Sequence, residues 1–207
     1  MRRNESMEIR QRAVGPWPMN SYALVCPQTN QSVLIDPGAD PARLQAMLNN
    51  TTPIAIWLTH THNDHIGEVA SMRQRLNVPV LGHPGPQTRP VPLDAAISDG
   101  QILTIGEHTV KAIYTPGHTG DMVSFLVDAS PIAIVGDTLF AGGPGRTWSA
   151  ADFQTSLQTL RNTILTWDDQ RICYAGHGAE FSLGSIRPKI EAFLARDHGE
   201  FFGDAEW

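Results

Sequence analysis

Cysteine is nearly absent: Cys26 and Cys173 are the whole supply. Two isolated thiols are too few for a disulfide framework and too scattered for a thiolate metal site, so both are expected to be buried and reduced. No apolar run approaches the ~18 residues that a membrane-spanning helix requires, and a bilayer span is excluded. Positive charge is scarce as well. The 15 Lys and Arg fall short of the 21 Asp and Glu, for a net charge of −6. With no basic run long enough to track a phosphate backbone, a nucleic-acid partner is disfavoured. Met1-Arg2-Arg3 resembles the opening of an export signal, but Asn4-Glu5-Ser6 stands where its apolar stretch should begin, so the chain reads as cytoplasmic.

What remains is an ordinary folded composition, 41% hydrophobic with 18 Gly and 15 Pro over 207 residues. That length suits one domain, 1–207, with residues 1–6 as a candidate disordered lead. A chain of this size hides roughly 70% of its unfolded surface, so it needs no metal merely to stay folded. Any metal would belong to chemistry. Short β-rich runs fall at 7–14, 22–26 and 33–35, the last stopped by Asp36-Pro37-Gly38. Asp40-Pro41 supplies a cap and a first helical proline for a helix over 41–49, and 54–58 reads as a buried strand. Helical spacing marks 67–77, another strand 78–81, and the four prolines in 82–100 argue for a loop. Strands are expected at 102–105, 110–114, 123–127, 132–135 and 172–175. Asp152 is expected to cap a helix carrying Phe153 through Ile164, and Ile186, Ile190, Phe193 and Leu194 stripe a last one. Strands grouped at both ends with hairpins between them favour an α/β layered sandwich over a parallel doubly wound sheet.

The outstanding segment is Thr59-His60-Thr61-His62-Asn63-Asp64-His65, directly after a buried strand, where loops present functional groups. Imidazole and carboxylate together suit zinc, iron or manganese. In an extended stretch, positions 60, 62 and 64 would face one way while His65 reaches a neighbouring point, and two adjacent metals become plausible. Three later segments each follow an expected strand and place one ligand-type side chain beside glycine: Gly117-His118, Gly136-Asp137 and Gly176-His177. Taken singly, each is a loop histidine or a turn aspartate. Taken with the first cluster, the four become one site.

The set His60-x-His62-x-Asp64-His65, His118, Asp137 and His177 resembles the ligands of the metallo-β-lactamase fold superfamily, over nearly the whole chain. Gly136-Asp137-Thr138-Leu139-Phe140 followed by Gly143-Pro144-Gly145-Arg146 resembles more narrowly the short hydroxyacylglutathione hydrolases, or glyoxalase II. The resemblance implies an αββα four-layer sandwich with the site at one edge of the paired sheets. It implies further that His60, His62 and His118 hold one metal, that Asp64, His65 and His177 hold a second, and that Asp137 bridges them. Two departures stand out. Asp121 occupies a position where the family commonly has glycine, and the chain lacks the C-terminal helical extension that brings basic residues to glutathione in larger members.

The reaction implied is hydrolysis of an acylglutathione-type thioester by a hydroxide shared between two divalent ions, with Asp64 and Asp137 counted as catalytic. A bound metal can lower the pKa of water from 15.7 to about 7. A thiol pKa near 8.5 lets the thiolate leave without a strong acid. Zinc is the first expectation, with iron or manganese as alternatives. Arg146 and Trp148 are candidate contacts for a small thioester or thiol-derived substrate, through a carboxylate and an aromatic wall respectively. Arg187 and Lys189 read as solvated charges, His83, His108 and His198 as surface histidines, and Asp36 as a strand terminator that the resemblance allows to buttress the metal loop. The main rival is an iron-dependent persulfide dioxygenase using His60, His118 and Asp137, a set nested within the larger one. Hydrolysis of another ester, lactone or lactam fits less well, and a non-catalytic metal-binding module would be expected to show a broken ligand set.

Overall fold

The computed structural model describes residues 6–85 and 90–207. Most of the expected disordered lead, and 86–89 of the expected proline-rich loop, lie outside the described residues. Two six-stranded sheets stack face to face. The first takes β1 (Glu8–Val14), β2 (Met19–Val25), β3 (Gln31–Ile35), β4 (Thr52–Trp57), β5 (Val80–Gly82) and β6 (Ala95–Ala96) in that spatial order. Its first two pairings are antiparallel and the rest parallel; α1 (Pro41–Met47) and α3 (Val69–Leu76) carry the chain back across the sheet for the β3–β4 and β4–β5 pairs. The second sheet begins as a meander of β7 (Ile102–Ile105), β8 (His108–Tyr114), β9 (Val123–Val127) and β10 (Ile132–Gly136). After α4 (Ala150–Asn162), β11 (Ile172–Ala175) joins β10 in parallel and β12 (Phe181–Ser182) closes the edge, before α5 (Leu183–Leu194).

Strand alternation sorts the apolar side chains into layers. Val33, Ile35, Trp57, Phe125 and Ile134 point between the sheets, with Trp57 and Phe125 ring centroids 5.1 Å apart. Their alternate neighbours Leu34 and Ile56 turn outward onto Leu44, Met47 and Met72 of α1 and α3. Ala133, Val135 and Cys173 do the same beneath Leu160, Ile186 and Ile190 of α4 and α5. The result is the expected αββα sandwich, with Cys26 and Cys173 both free and buried. No described helix is long and apolar enough to cross a membrane.

Several local expectations change. Residues 60–65 are not extended: a short helix, α2 (Asn63–Ile66), starts after His62, so Asp64 turns to His177 while the His65 ring stays 4.1 Å from that of His60. Ser149, not Asp152, caps α4. Its hydroxyl oxygen accepts from the Asp152 N–H at 3.1 Å while its O–H donates to the Asp152 carboxylate at 2.6 Å, and Ile164 falls in a separate 3-10 turn. Asp40 precedes Pro41 as expected but caps nothing; its carboxylate accepts from Gly15 N–H at 3.1 Å. β6 interrupts the expected loop. The three histidines outside the motifs are half-buried packing groups: His83 stacks on Tyr114 at 4.1 Å, His108 meets the Gln28 amide at 3.1 Å, and His198 lies 4.4 Å from the Phe193 ring.

Phe125 is wholly buried between the sheets. Phe125→Ala is expected to cost about 3–5 kcal/mol, read as a fall in the urea midpoint. An unchanged midpoint would contradict this inter-sheet core.

Candidate metal centre

Every ligand-type loop leaves the same edge of the sandwich. The His60 loop follows β4, the His118 loop joins β8 to β9, and Asp137 and His177 follow the adjacent parallel strands β10 and β11. Parallel pairing brings the last two side by side. Glycine makes the approach possible: a side chain at Gly176 would overlap the Asp137 carboxylate and the His65 ring, and one at Gly145 would overlap the Asp137 backbone and crowd His118.

All seven sequence-derived candidates meet there. The facing nitrogens of His60 and His62 are 3.1 Å apart, and His118 Nε2 lies 2.9 Å from the same His62 Nδ1. A second group forms 3.2 Å apart between His177 Nε2 and Asp64 Oδ2, with His65 Nε2 3.9 Å from that carboxylate. Asp137 stands between the groups: Oδ2 is 3.5 Å from His118 and 3.7 Å from His177, and Oδ1 is 3.4 Å from His65. Each trio, His60/His62/His118 and Asp64/His65/His177, keeps its donor atoms within 4.8 Å of one another.

The outward nitrogens are tied down. His118 Nδ1–H donates to the Arg146 carbonyl at 2.8 Å and His177 Nδ1–H to that of Pro18 at 3.1 Å. Asp36, at the end of β3, organises the rest. Its carboxylate accepts from Thr59 N–H at 2.7 Å, Thr59 Oγ1–H at 2.6 Å and His65 Nδ1–H at 2.9 Å, and Thr59 Oγ1 in turn accepts from His60 Nδ1 at 3.0 Å. Occupying one ring nitrogen fixes the tautomer and leaves the other nitrogen's lone pair for an ion. Asp36 adopts this pose at φ 51°, in the left-handed region that aspartate tolerates better than most residues. The buttressing role is therefore the one it fills.

The donors fit a cation. His65 Nε2 and Asp137 Oδ1 are buried and make no hydrogen bond, an arrangement that is costly unless something positively charged shares the space. Burial depresses His60 well below its usual range, holds His118 down to about 4, and lowers His62, so these three imidazoles are neutral donors at pH 7. The second group differs. Burial opposes charge on His65, but the Asp137 and Asp36 carboxylates facing its two ring nitrogens prevail and raise it to about 10. Asp64 is lowered to about 2 by its bond to His177, which is itself raised.

Around the donors lies a cavity of about 820 Å³, bordered by His118, Asp137, His177, Phe140, Lys189 and the C-terminal Trp207. Trp148, 53% exposed, sets its ring 5.1 Å from His62 and 5.3 Å from His118. Arg146 also borders the cavity, but its guanidinium meets Asp204 at 3.1 Å. Arg187 is a structural group, tied to Asp169 and to the Leu165 and Trp167 carbonyls at 2.8 and 2.6 Å. Lys189, read as a solvated charge, is exposed and also borders the cavity. The tail around Trp207 was not anticipated: Trp207 N–H and Nε1–H donate to the Gly142 and Phe140 carbonyls at 2.9 and 3.1 Å. No local pattern announces a contact between segments so far apart in sequence.

The chain matches the metallo-beta-lactamase superfamily over residues 14–177 and belongs to it. Members of this superfamily are metal-dependent hydrolases that bind divalent ions. The chain is 31% identical over 195 residues to Probable metallo-hydrolase YqgX of Bacillus subtilis (strain 168), covering 84% of this chain and 92% of that one. It is 33% identical over 186 residues to a hydroxyacylglutathione hydrolase of Bradyrhizobium sp. (strain ORS 278), with 84% and 70% covered. Among solved structures it superposes on the BLEG-1 B3 metallo-beta-lactamase with a TM-score of 0.80 at 29% identity, covering 91% of this chain and 100% of that one. It superposes on ETHE1 from Myxococcus xanthus with a TM-score of 0.75 at 25% identity, covering 87% and 82%.

An ion entering the Asp64/His65/His177 group must displace the His65 proton. Because that pKa stands at about 10, affinity there is expected to rise with pH from neutrality toward 10 and to fall toward acid. Calorimetry at pH 7 in buffers of different ionisation heat should register proton release, and a buffer-independent heat would contradict it.

Proposed function

We propose that this chain is a thioesterase acting on an acylglutathione-type thioester. Its ions would be held by His60, His62 and His118 on one side and by Asp64, His65 and His177 on the other, with Asp137 available to both. The carrying observation is the placement of Asp137, whose carboxylate faces histidines of both groups within 3.7 Å. Zinc suits this imidazole and carboxylate set, and iron or manganese share the same donor chemistry. When bound, the ions supply a water of lowered pKa and polarise a carbonyl oxygen.

The protein's own groups do the rest. Asp64, ionised and with a side chain 37% exposed, would hold the second ion through Oδ2, the oxygen facing His177 and His65, and leave its other oxygen to orient the attacking water. Asp137 keeps both donor groups in register from its buried position. Trp148 and Phe140 offer apolar walls to the two halves of the thioester. The thiolate departs unaided, so the lack of a further acid among these residues is consistent with the chemistry. Arg146 would take a substrate carboxylate in exchange for Asp204, an exposed pairing worth about 1 kcal/mol or less.

The likeness to ETHE1 favours one second reading, an iron-dependent persulfide dioxygenase in which only His60, His118 and Asp137 bind metal. Metal analysis of protein purified without added metal, with thioester hydrolysis and oxygen uptake on glutathione persulfide measured side by side, separates the two. The thioesterase reading expects about two ions per chain and thiol release; one iron with oxygen consumption overturns it. His118→Ala and Asp137→Ala should each lower hydrolysis about a hundredfold or more while the circular dichroism stays native. Full activity in either variant would remove that residue from the centre.

A further inference from the structure

Asp121 lies three residues past His118, and its carboxylate Oδ2 accepts from the Thr61 hydroxyl at 2.6 Å. Thr61 sits between His60 and His62. This bond therefore joins the loop carrying two donors of the first group to the loop carrying the third, across 60 positions of sequence. Asp121 is itself set from behind. Its Cβ and backbone pack against Gly85, where even a methyl group would crowd them at 2.7 Å. The neighbouring Gly120 carbonyl accepts from Tyr114 Oη–H at 2.8 Å, and that ring is stacked by His83.

We infer that Asp121 is a positioning residue that fixes the spacing of the first ion site through Thr61. The inference rests on the reading that His60, His62 and His118 bind an ion. The geometry gives the reason. His62 is half-buried and precedes only a four-residue helix, too short to be rigid by its own hydrogen bonds. His60 is held through Thr59 and Asp36, and His118 through the Arg146 carbonyl. For the His62 segment, the bond of Thr61 to Asp121 does the corresponding work, and it does so from the opposite loop of the same site. A carboxylate acceptor makes the tie stronger than a neutral one, and glycine at 121 would offer no acceptor at all.

The test compares Thr61→Val, which removes the donor while leaving the Asp121 charge in place, with Thr61→Ser, which keeps it, and with Asp121→Ala. Cobalt(II) affinity is measured by competition with a chelator, and the visible absorption of the bound ion reports its coordination. Thr61→Val and Asp121→Ala are expected to weaken uptake of the first ion about tenfold, with a non-additive double variant, an altered spectrum and near-native behaviour of Thr61→Ser. Wild-type affinity and spectrum in Thr61→Val, or additive losses in the double variant, would overturn the inference while leaving the metal reading intact. A wild-type chain that takes up no ion would overturn both.

Discussion

The structure depends on one buried carboxylate. Asp36 ends a strand of the first sheet in a left-handed pose and takes hydrogen bonds from Thr59 and His65, on either side of the His60 loop. Without those acceptors the Thr59 amide and the His65 ring would be buried with donors unmet, a cost of about 1–3 kcal/mol for each. With them, the loop after the fourth strand is held to the sheet beside it, and two histidines are presented in fixed orientation. Parallel pairing of the tenth and eleventh strands then brings Asp137 and His177 to the same place from the second sheet. The sandwich is the means by which distant short segments share one small volume.

The sequence was informative where chemistry and locality coincide. The run from His60 to His65 is legible because four ligand-type side chains fall within six residues, and the later His118, Asp137 and His177 because each adjoins a glycine at a strand end. Layering was legible too, since Leu34 between Val33 and Ile35 alternates faces as a strand must. The orientation of Asp64 was misjudged because a four-residue helix leaves no periodicity to detect, and the turn at His62 decides which donors face which. Arg146 with Asp204, Trp207 with the Gly142 loop, and Asp121 with Thr61 were hidden for another reason: each joins segments about 60 residues apart, and a motif at one end names no partner at the other.

The site is also asymmetric. One trio is three imidazoles kept neutral by burial; the other mixes a carboxylate with two imidazoles whose pKa values are raised by neighbouring acids. The first offers its lone pairs outright, while the second would have to exchange protons for an ion. The cavity beside them carries Phe140 and Trp207 on one wall and Arg146 already engaged with Asp204.

The central claim is that these seven side chains enclose two cations. Anomalous diffraction from a zinc-loaded crystal tests it directly. Two peaks are expected, one among His60, His62 and His118 and one among Asp64, His65 and His177, each also about 2.0–2.2 Å from an oxygen of Asp137. A lone peak ligated only by His60, His118 and Asp137, or no peak between the two trios and Asp137, would contradict the account.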